Sequence, residues 1–306
     1  MTFLQFAASF GLIIDQLEEG RWVRVKTQDK MAKRNGSYKF VGTAGFVQNH
    51  ATMLEVATWF PNREEKTPVV DRAAVQKRLS DERRALVKAT HAARTFFLAC
   101  MPLNASHPYL KAHGLSMAGC FGLRIDSDGW IVVPALKDGN LMSVQRIAPA
   151  GDKLFWKGAS IKGAAYTVER PGAMLTILCE GLATGLALFD AVKQARVVVG
   201  FSAGNFANLG GVRGLCVVAA DNDHATEARI GTNPGRKAAE EAASRLGCGV
   251  VIPVDMAGSD WADWRQERLL SRPGRKFGGV ADKQREVDAE IAGLIMRAAR
   301  FVRSNA

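Results

Sequence analysis

The sequence predicts an α/β protein: an open, mainly parallel sheet flanked by helices, preceded by small β-rich parts and a long helix. Three observations predict it. From residue 171 onward, short apolar runs alternate with helical periods, the strand–helix–strand rhythm of a parallel sheet with right-handed crossovers. Before that, residues 105–170 carry short strands parted by the turn signals Asp126-Ser-Asp-Gly129, Lys137-Asp-Gly-Asn140 and Pro149-Ala-Gly-Asp152. Finally, acidic clusters stand where three apolar runs end. Met174–Cys179 runs into Glu180-Gly181, Leu215–Ala220 runs into Asp221-Asn222-Asp223, and Gly249–Val254 is followed by Asp260-Trp-Ala-Asp263.

Taken in order, residues 1–66 read as a small β-rich module. A helix from Phe3 through Leu12 precedes the alternating strand Arg21–Lys26. A basic turn over 30–36 follows, with Asn35-Gly36 as its hairpin signal, and then the returning strand Ser37–Val41. Arg24, Lys33, Arg34 and Tyr38 belong to a set of interleaved basic and aromatic residues here, with Trp22, Lys39 and Phe40. Such a set either suits single-stranded nucleic acid or is an ordinary solvated hairpin.

Residues 67–104 read as a long basic helix and linker, with Val75, Leu79, Leu86, Ala93 and Phe97 at helical spacing. That stripe is expected to pack on the following domain. The basic face opposite it is either solvated or a DNA contact. Residues 105–170 form a β-rich subdomain. Residues 171–268 form the sheet itself, with strands at 173–179, 196–201, 215–220 and 249–254 and helices at 182–193 and 234–246. Pro234 suits the first turn of its helix. Residues 269–306 comprise the basic linker 272–279 and an amphipathic helix whose apolar stripe (Val287, Ile291, Leu294, Ile295, Ala298, Phe301) packs on the core or on a partner.

Composition narrows the function. With 306 residues, 47% of them hydrophobic, the chain can bury a sizeable core. Its 41 Lys+Arg against 30 Asp+Glu give a net charge of +11, which suits a polyanionic partner. The 5 cysteines stand singly, with no C-x-x-C, so neither a disulfide framework nor a thiolate zinc site is expected. The N-terminus lacks a basic n-region and no apolar run approaches membrane-span length, so a cytoplasmic protein without membrane contact is expected. The absence of a G-x-x-x-x-G-K-[ST] loop argues against a fused ATP-driven helicase.

In an open parallel sheet the ligand site lies outside the carboxyl ends of the strands, so carboxylates at three such ends can converge. Hard divalent cations want oxygen ligands and bind phosphates beside them. Glu180 reads either as a metal ligand or as a base. Asp221 and Asp223, two apart at a strand end, can share a cation. Asp260 and Asp263 add carboxylates by direct or water-mediated contact, although Asp263 alone can equally be a helix cap. At Gly181 a side chain is expected to crowd the backbone turn and anything docked beside it.

The motifs CEGLATG (179–185), AADNDH (219–224) and GSDWADW (258–264), in this order, resemble those of the Toprim domain. The flanking segments HPYLKAHGL (107–115), GLRIDSDGWIVVPALKDGNLMSVQRI (122–147), GDKLFWKG (151–158), SAGN (202–205) and TNPGRKAAEEAA (232–243) sharpen the resemblance to phage and plasmid Toprim primases, over 94–268. It implies a Toprim-type sheet and a DNA primase making short RNA primers on single-stranded DNA by metal-dependent nucleotidyl transfer. The metal is Mg²⁺ or Mn²⁺, held by Glu180, Asp221, Asp223, Asp260 and Asp263. By the same resemblance Arg146 and Lys153 face the metal site and contact phosphates; Lys157 is a further candidate as an exposed lysine, and Ser202-Ala-Gly-Asn205 either lies near the same rim or is a plain loop. Ribonucleoside triphosphates are the substrates, and a replicative helicase comes from a separate polypeptide. No Cys/His zinc-binding module is visible, a departure from the family's pattern that leaves the mode of template recognition open. The alternatives are a Toprim nuclease using the same acids with water as nucleophile, or a non-catalytic single-strand-binding protein. Tyr38, Tyr109 and Tyr166 sit in no context that suits a topoisomerase.

Overall fold

The computed structural model describes residues 1–32, 34–53, 55–61, 72–210, 212, 214–222, 224, 227, 228, 231, 233–271 and 280–302. Lys33, Asp223 and the basic linker 272–279 lie outside these. The chain divides into two compact units, 1–81 and 82–306. Among the described residues no helix is long and apolar enough to cross a membrane.

In the first unit, α1 (Phe3–Ser9) opens with a capping box between Thr2 and Gln5. It stops sooner than expected because Gly11 turns the chain with a φ of 77°. Leu12 then begins β1 (Leu12–Ile13) instead of extending the helix. The antiparallel sheet continues through β2 (Trp22–Thr27), β3 (Gly36–Phe40), β4 (Gly45–Asn49) and β5 (Ala57–Trp59), in that spatial order. Phe3 and Ala7 of α1 pack on Tyr38, Phe40, Val47 and Trp59.

Two expectations change here. Gly36 is not at the centre of a hairpin turn but within β3, where a Cβ would stand 2.9 Å from the side chains of Leu12 and Thr27. Tyr38 is fully buried; its hydroxyl accepts from Glu18 N at 2.8 Å and donates to the Gln16 carbonyl at 3.1 Å. It is a core residue and offers no ring to a base.

The second unit begins within α2 (Arg72–Ala99). The expected stripe is only partly used. Leu79 and Leu86 are exposed, while Ala93 is buried, and Phe96 and Phe97 pack against Val132, Val144 and Trp156. A five-stranded antiparallel sheet follows, ordered β10-β9-β8-β7-β6. Its strands are β6 (Met101–Pro102), β7 (Arg124–Ile125), β8 (Ile131–Lys137), β9 (Asn140–Ile147) and β10 (Lys153–Phe155). Asp138 and Gly139, with φ of 49° and 76°, make the β8–β9 turn where the sequence placed it. The short α3 (Pro108–Ala112) lies between β6 and β7.

The remaining sheet is the predicted parallel one. β12 (Leu175–Cys179), β13 (Ala195–Val199), β14 (Gly214–Ala219) and β15 (Gly249–Val251) run parallel in the order β13-β12-β14-β15. β11 (Tyr166–Glu169), grouped from the sequence with the preceding β-rich part, instead adds an antiparallel edge to β13. β16 (Arg300–Val302) was not foreseen; it pairs antiparallel with the first half of β14, whose second half carries β15.

Helices cover both faces, as a sheet of continuous apolar strands requires. These are α4 (Leu182–Ala191), α5 (Pro234–Leu246), α6 (Trp261–Ser271) and α7 (Val280–Ala298). Ala239, Ala242 and Ala243 of α5 pack with Leu178, Val198 and Val218, whereas α4, α6 and α7 share a core with Ile177, Val197 and Val217. Every residue of α4 is buried, and a Cβ on its Gly185 would lie 2.5 Å from Val199, so the glycine sets how closely helix meets sheet. Val287, Ile291 and Ile295 are fully buried, which makes the last amphipathic helix core rather than a partner-binding surface.

Candidate active site at the strand ends

β12 and β14 are neighbours in register, Cys179 opposite Ala219. The residues that follow them, Glu180 and Asp221, therefore emerge at the same rim. Asp260 is brought there by two tethers. The Trp261 indole donates to the Ala220 carbonyl at 3.2 Å, and Asn222 N donates to the Ser259 carbonyl at 2.7 Å. Asp260 is also the N-cap of α6: its Oδ1 accepts from Ala262 N at 2.8 Å and Asp263 N at 2.9 Å. Asp263 reaches back to Ser259 N at 3.2 Å, over a position where Gly258 leaves the only room. The capping role allowed for Asp263 thus falls first to Asp260.

The electrostatics record the crowding. Burial, then Asp260, then Glu180 push the Asp221 carboxyl up to about 7, against the pull of the Thr184 hydroxyl, which donates at 3.0 Å, and of Lys153. Burial, with Asp263 as the neighbouring charge, also raises Asp260, while His113 draws it down. The buried Cys179 thiol is pushed up by burial and then by Asp221, Glu180 and Asp260, so all three carboxylates lie near the end of β12. Thr184, His113 and Tyr109 were not singled out as site residues. Thr184 stands inside the motif CEGLATG, but nothing in the sequence says that its hydroxyl serves Asp221. Tyr109, whose ring tilts against His113 with centroids 4.6 Å apart, has its phenol raised by burial and by Asp260 and Asp263.

Lys153, expected from the resemblance to face the acids, comes near Asp221 and Gly181. A Cβ on Gly181 would be 3.8 Å from its ammonium, and the Gly181 backbone itself is in ordinary extended geometry. A side chain there would make only ordinary contact with that ammonium, so the crowding expected at Gly181 is not found.

Arg146 is different. In the β9–β10 pairing Lys153 stands opposite Ile147 and Leu154 opposite Arg146, so Lys153 and Arg146 project from opposite faces. Arg146 donates to Asp126 at 2.7 Å and Asp128 at 2.9 Å and lies over the Trp130 ring, 4.8 Å from its centroid. It clamps the β7–β8 turn and does not face the acids.

The other rim residues divide. Asn205 is buried, with its amide committed to Gly163 N, the Ala164 carbonyl and the Gly200 carbonyl, all at 2.8–2.9 Å; it is scaffold and not a ligand contact. Ser202 is half-buried and begins the 3₁₀ turn Ala203–Asn208, beside Phe201, whose φ of 67° is unusual for a bulky residue. Phe201 N donates to the Glu180 carbonyl at 3.0 Å, so this turn is laced to the acidic rim. Lys157 is exposed, and among the described residues no contact holds it to the acids. In the first unit Arg24 and Arg34 are exposed.

The donor set is all carboxylate oxygen, crowded enough to hold one carboxyl near neutrality, which suits a hard divalent cation. Among the described residues no three such groups close into a ready metal cage. A Mg²⁺-type ion needs none, since it is commonly held by one or two carboxylates together with water and substrate phosphates.

Residues 175–270 match the Toprim domain family, a span that opens on the first residue of β12 and closes within α6. Among curated proteins the chain is similar to DNA primase TraC of Escherichia coli, 26% identical over 267 residues, covering 79% of this chain and 25% of the relative. A second DNA primase TraC of Escherichia coli is 28% identical over 166 residues, covering 50% of this chain and 11% of that protein. The chain thus spans about a quarter or less of the length of these relatives. Among solved structures it is similar to the primase fragment of the bacteriophage T7 primase-helicase protein, with 17% identity, a TM-score of 0.37, and coverage of 55% of this chain and 75% of that one.

Proposed function

Because residues 175–270 are a Toprim domain, we propose that the chain is a DNA primase of the phage and plasmid type, acting on single-stranded DNA and ribonucleoside triphosphates. The observation that carries the proposal is that adjacent parallel strands bring Glu180 and Asp221 to one rim, where Asp260 is tethered and the Lys153 ammonium lies beside Gly181. That is a place for a phosphate chain and its counter-ions. The likeness to DNA primase TraC over most of this chain supports the choice of reaction.

In the reaction a 3′-hydroxyl attacks the α-phosphate of an incoming ribonucleotide, and pyrophosphate leaves. Asp221 and Asp260, with Glu180 beside them, would hold Mg²⁺ or Mn²⁺, which when bound offsets charge on the attacking and leaving oxygens. Thr184 orients the Asp221 carboxylate through its hydroxyl. Lys153 supplies a compact positive charge to a phosphate oxygen at the Gly181 edge. Glu180 serves either as a further ligand or as the base for the hydroxyl. Asp223 completes the Asp-x-Asp pair in this reading, and a helicase on another polypeptide is the proposed replication partner.

The test is de novo synthesis on a random-sequence single strand with labelled ribonucleotides and Mg²⁺ or Mn²⁺. Short RNA products that vanish in Asp221→Asn support the reading. Cleavage of the single strand without synthesis would assign the same acids to a nuclease instead.

A further inference from the structure

The first unit's sheet has two unlike faces. One is the core under α1; the other carries, from neighbouring strands, Trp22, Lys39, Phe46 and Thr58 in one row across the sheet. A second row is Arg24, Ser37 and Gln48, and Lys26 continues the face along β2. Trp22 is 48% exposed, far more than a core tryptophan, and its ring tilts toward Phe46 with centroids 6.4 Å apart. Arg24 and Lys26 are exposed and Lys39 half-exposed between the two rings. Not one Asp or Glu occurs in β2, β3, β4 or β5. Two rings flanked by cations, on strands that carry no acid, suit a ligand that offers both flat bases and phosphates.

We propose that this face binds single-stranded nucleic acid, with bases stacked on Trp22 and Phe46 and phosphates met by Arg24, Lys26 and Lys39. A single strand is required because only unpaired bases offer their faces to a flat aromatic platform. Duplex DNA has its bases stacked on one another and would use the cations alone. The face would hold the template of the proposed primase, and it rests on that reading only for the choice of DNA as the probe.

The experiment uses the full chain and a fluorescein-labelled 16-nucleotide single strand, followed by anisotropy across a salt series. Trp22→Ala and Phe46→Ala are each expected to weaken binding by about fivefold or more, the lower end of one stacked base. Trp22→Phe, which keeps a ring, should retain most of the affinity. Lys39→Gln should lower the salt slope by about 0.7, one phosphate contact on a single strand. Affinity for a blunt duplex of the same length should change little in the aromatic variants. Binding within twofold of wild type in both aromatic variants overturns the proposal, as does equal loss for single strand and duplex. Asp221→Asn separates the two readings. It should bind the strand normally while making no primer; a variant that still primes refutes the active-site assignment and leaves the sheet face standing.

Discussion

Asparagine at position 221 should make the cation-free protein more stable, and only above acidic pH. The Asp221 carboxyl is pushed from 3.8 up to about 7, chiefly by burial and then by Asp260 and Glu180. Because the folded value lies above the unfolded one, the native state binds the proton more tightly. Stability is therefore lost as pH rises through the window between them, and the full cost is carried above about pH 7. A rise of about three units corresponds to about 4 kcal/mol at 1.36 kcal/mol each. That is a ceiling, since Asp260 and Glu180 share the repulsion and relax when one charge is gone. Asn keeps an acceptor for the Thr184 hydroxyl, so a gain of about 1–3 kcal/mol is expected, at about 2–4 °C of melting temperature per kcal/mol. The assay is thermal melting of chelator-treated protein at pH 5 and pH 8.5, with and without added Mg²⁺. The variant should melt above wild type at pH 8.5, the gap should close toward pH 5, and Mg²⁺ should raise wild type more than the variant. An equal gap at both pH values, or a less stable variant at pH 8.5, would refute the argument that strand-end carboxylates repel one another.

Lys153→Ala removes the ammonium that draws Asp221 downward. The acid limb of the pH–rate profile should move to higher pH, and the rate of dinucleotide formation should fall about tenfold or more, a barrier increase of about 1.4 kcal/mol. Arg146→Lys keeps a charge but loses the fork that joins Asp126 and Asp128. Denaturant melts should show a loss of about 1–2 kcal/mol, while the initial rate per folded molecule stays at wild type.

What was legible in the sequence was local. Glu180-Gly181 and Asp221 follow apolar runs directly, so the strand and its terminal acid are read from the same few residues. Pro234 likewise announces a helix start, which Asn233 caps by accepting from Arg236 N at 3.1 Å. What depended on facing was lost. Arg146 and Lys153 are seven apart across a tight connection, and only the Lys153–Ile147 register shows that they project oppositely. Tyr38 and Phe40 alternate with Lys39, and that alternation places both rings on one face. The choice of face was set by α1, which covers them with Phe3. Phe46 went unnoticed because β4 was not recognised. Asn205 gave no sign that its amide would be consumed by three backbone groups.

The same unit contains acids of two kinds, and the contrast argues for function. Asp190 of α4 is buried and Asp288 of α7 half-buried beside Arg265 of α6, which is 1% exposed and donates to Asp288 at 2.7 Å and 3.2 Å. Arg265 also donates to the Gly114 carbonyl at 3.0 Å, and Asp190 accepts from the backbone and hydroxyl of Ser116. There the fold supplies each carboxylate with donors, as a structural ion pair in a low dielectric demands. At the strand ends the fold instead sets Asp221 beside Asp260 and Glu180, and burial with these neighbours pushes the Asp221 carboxyl up against the pull of the Thr184 hydroxyl and of Lys153. A fold that pairs its acids with a guanidinium in one core and sets carboxylates beside one another at its rim has the arrangement expected where an outside cation enters. Lys153 arrives there from the antiparallel sheet and the acids from the parallel one, so the two sheets of residues 82–306 make one site.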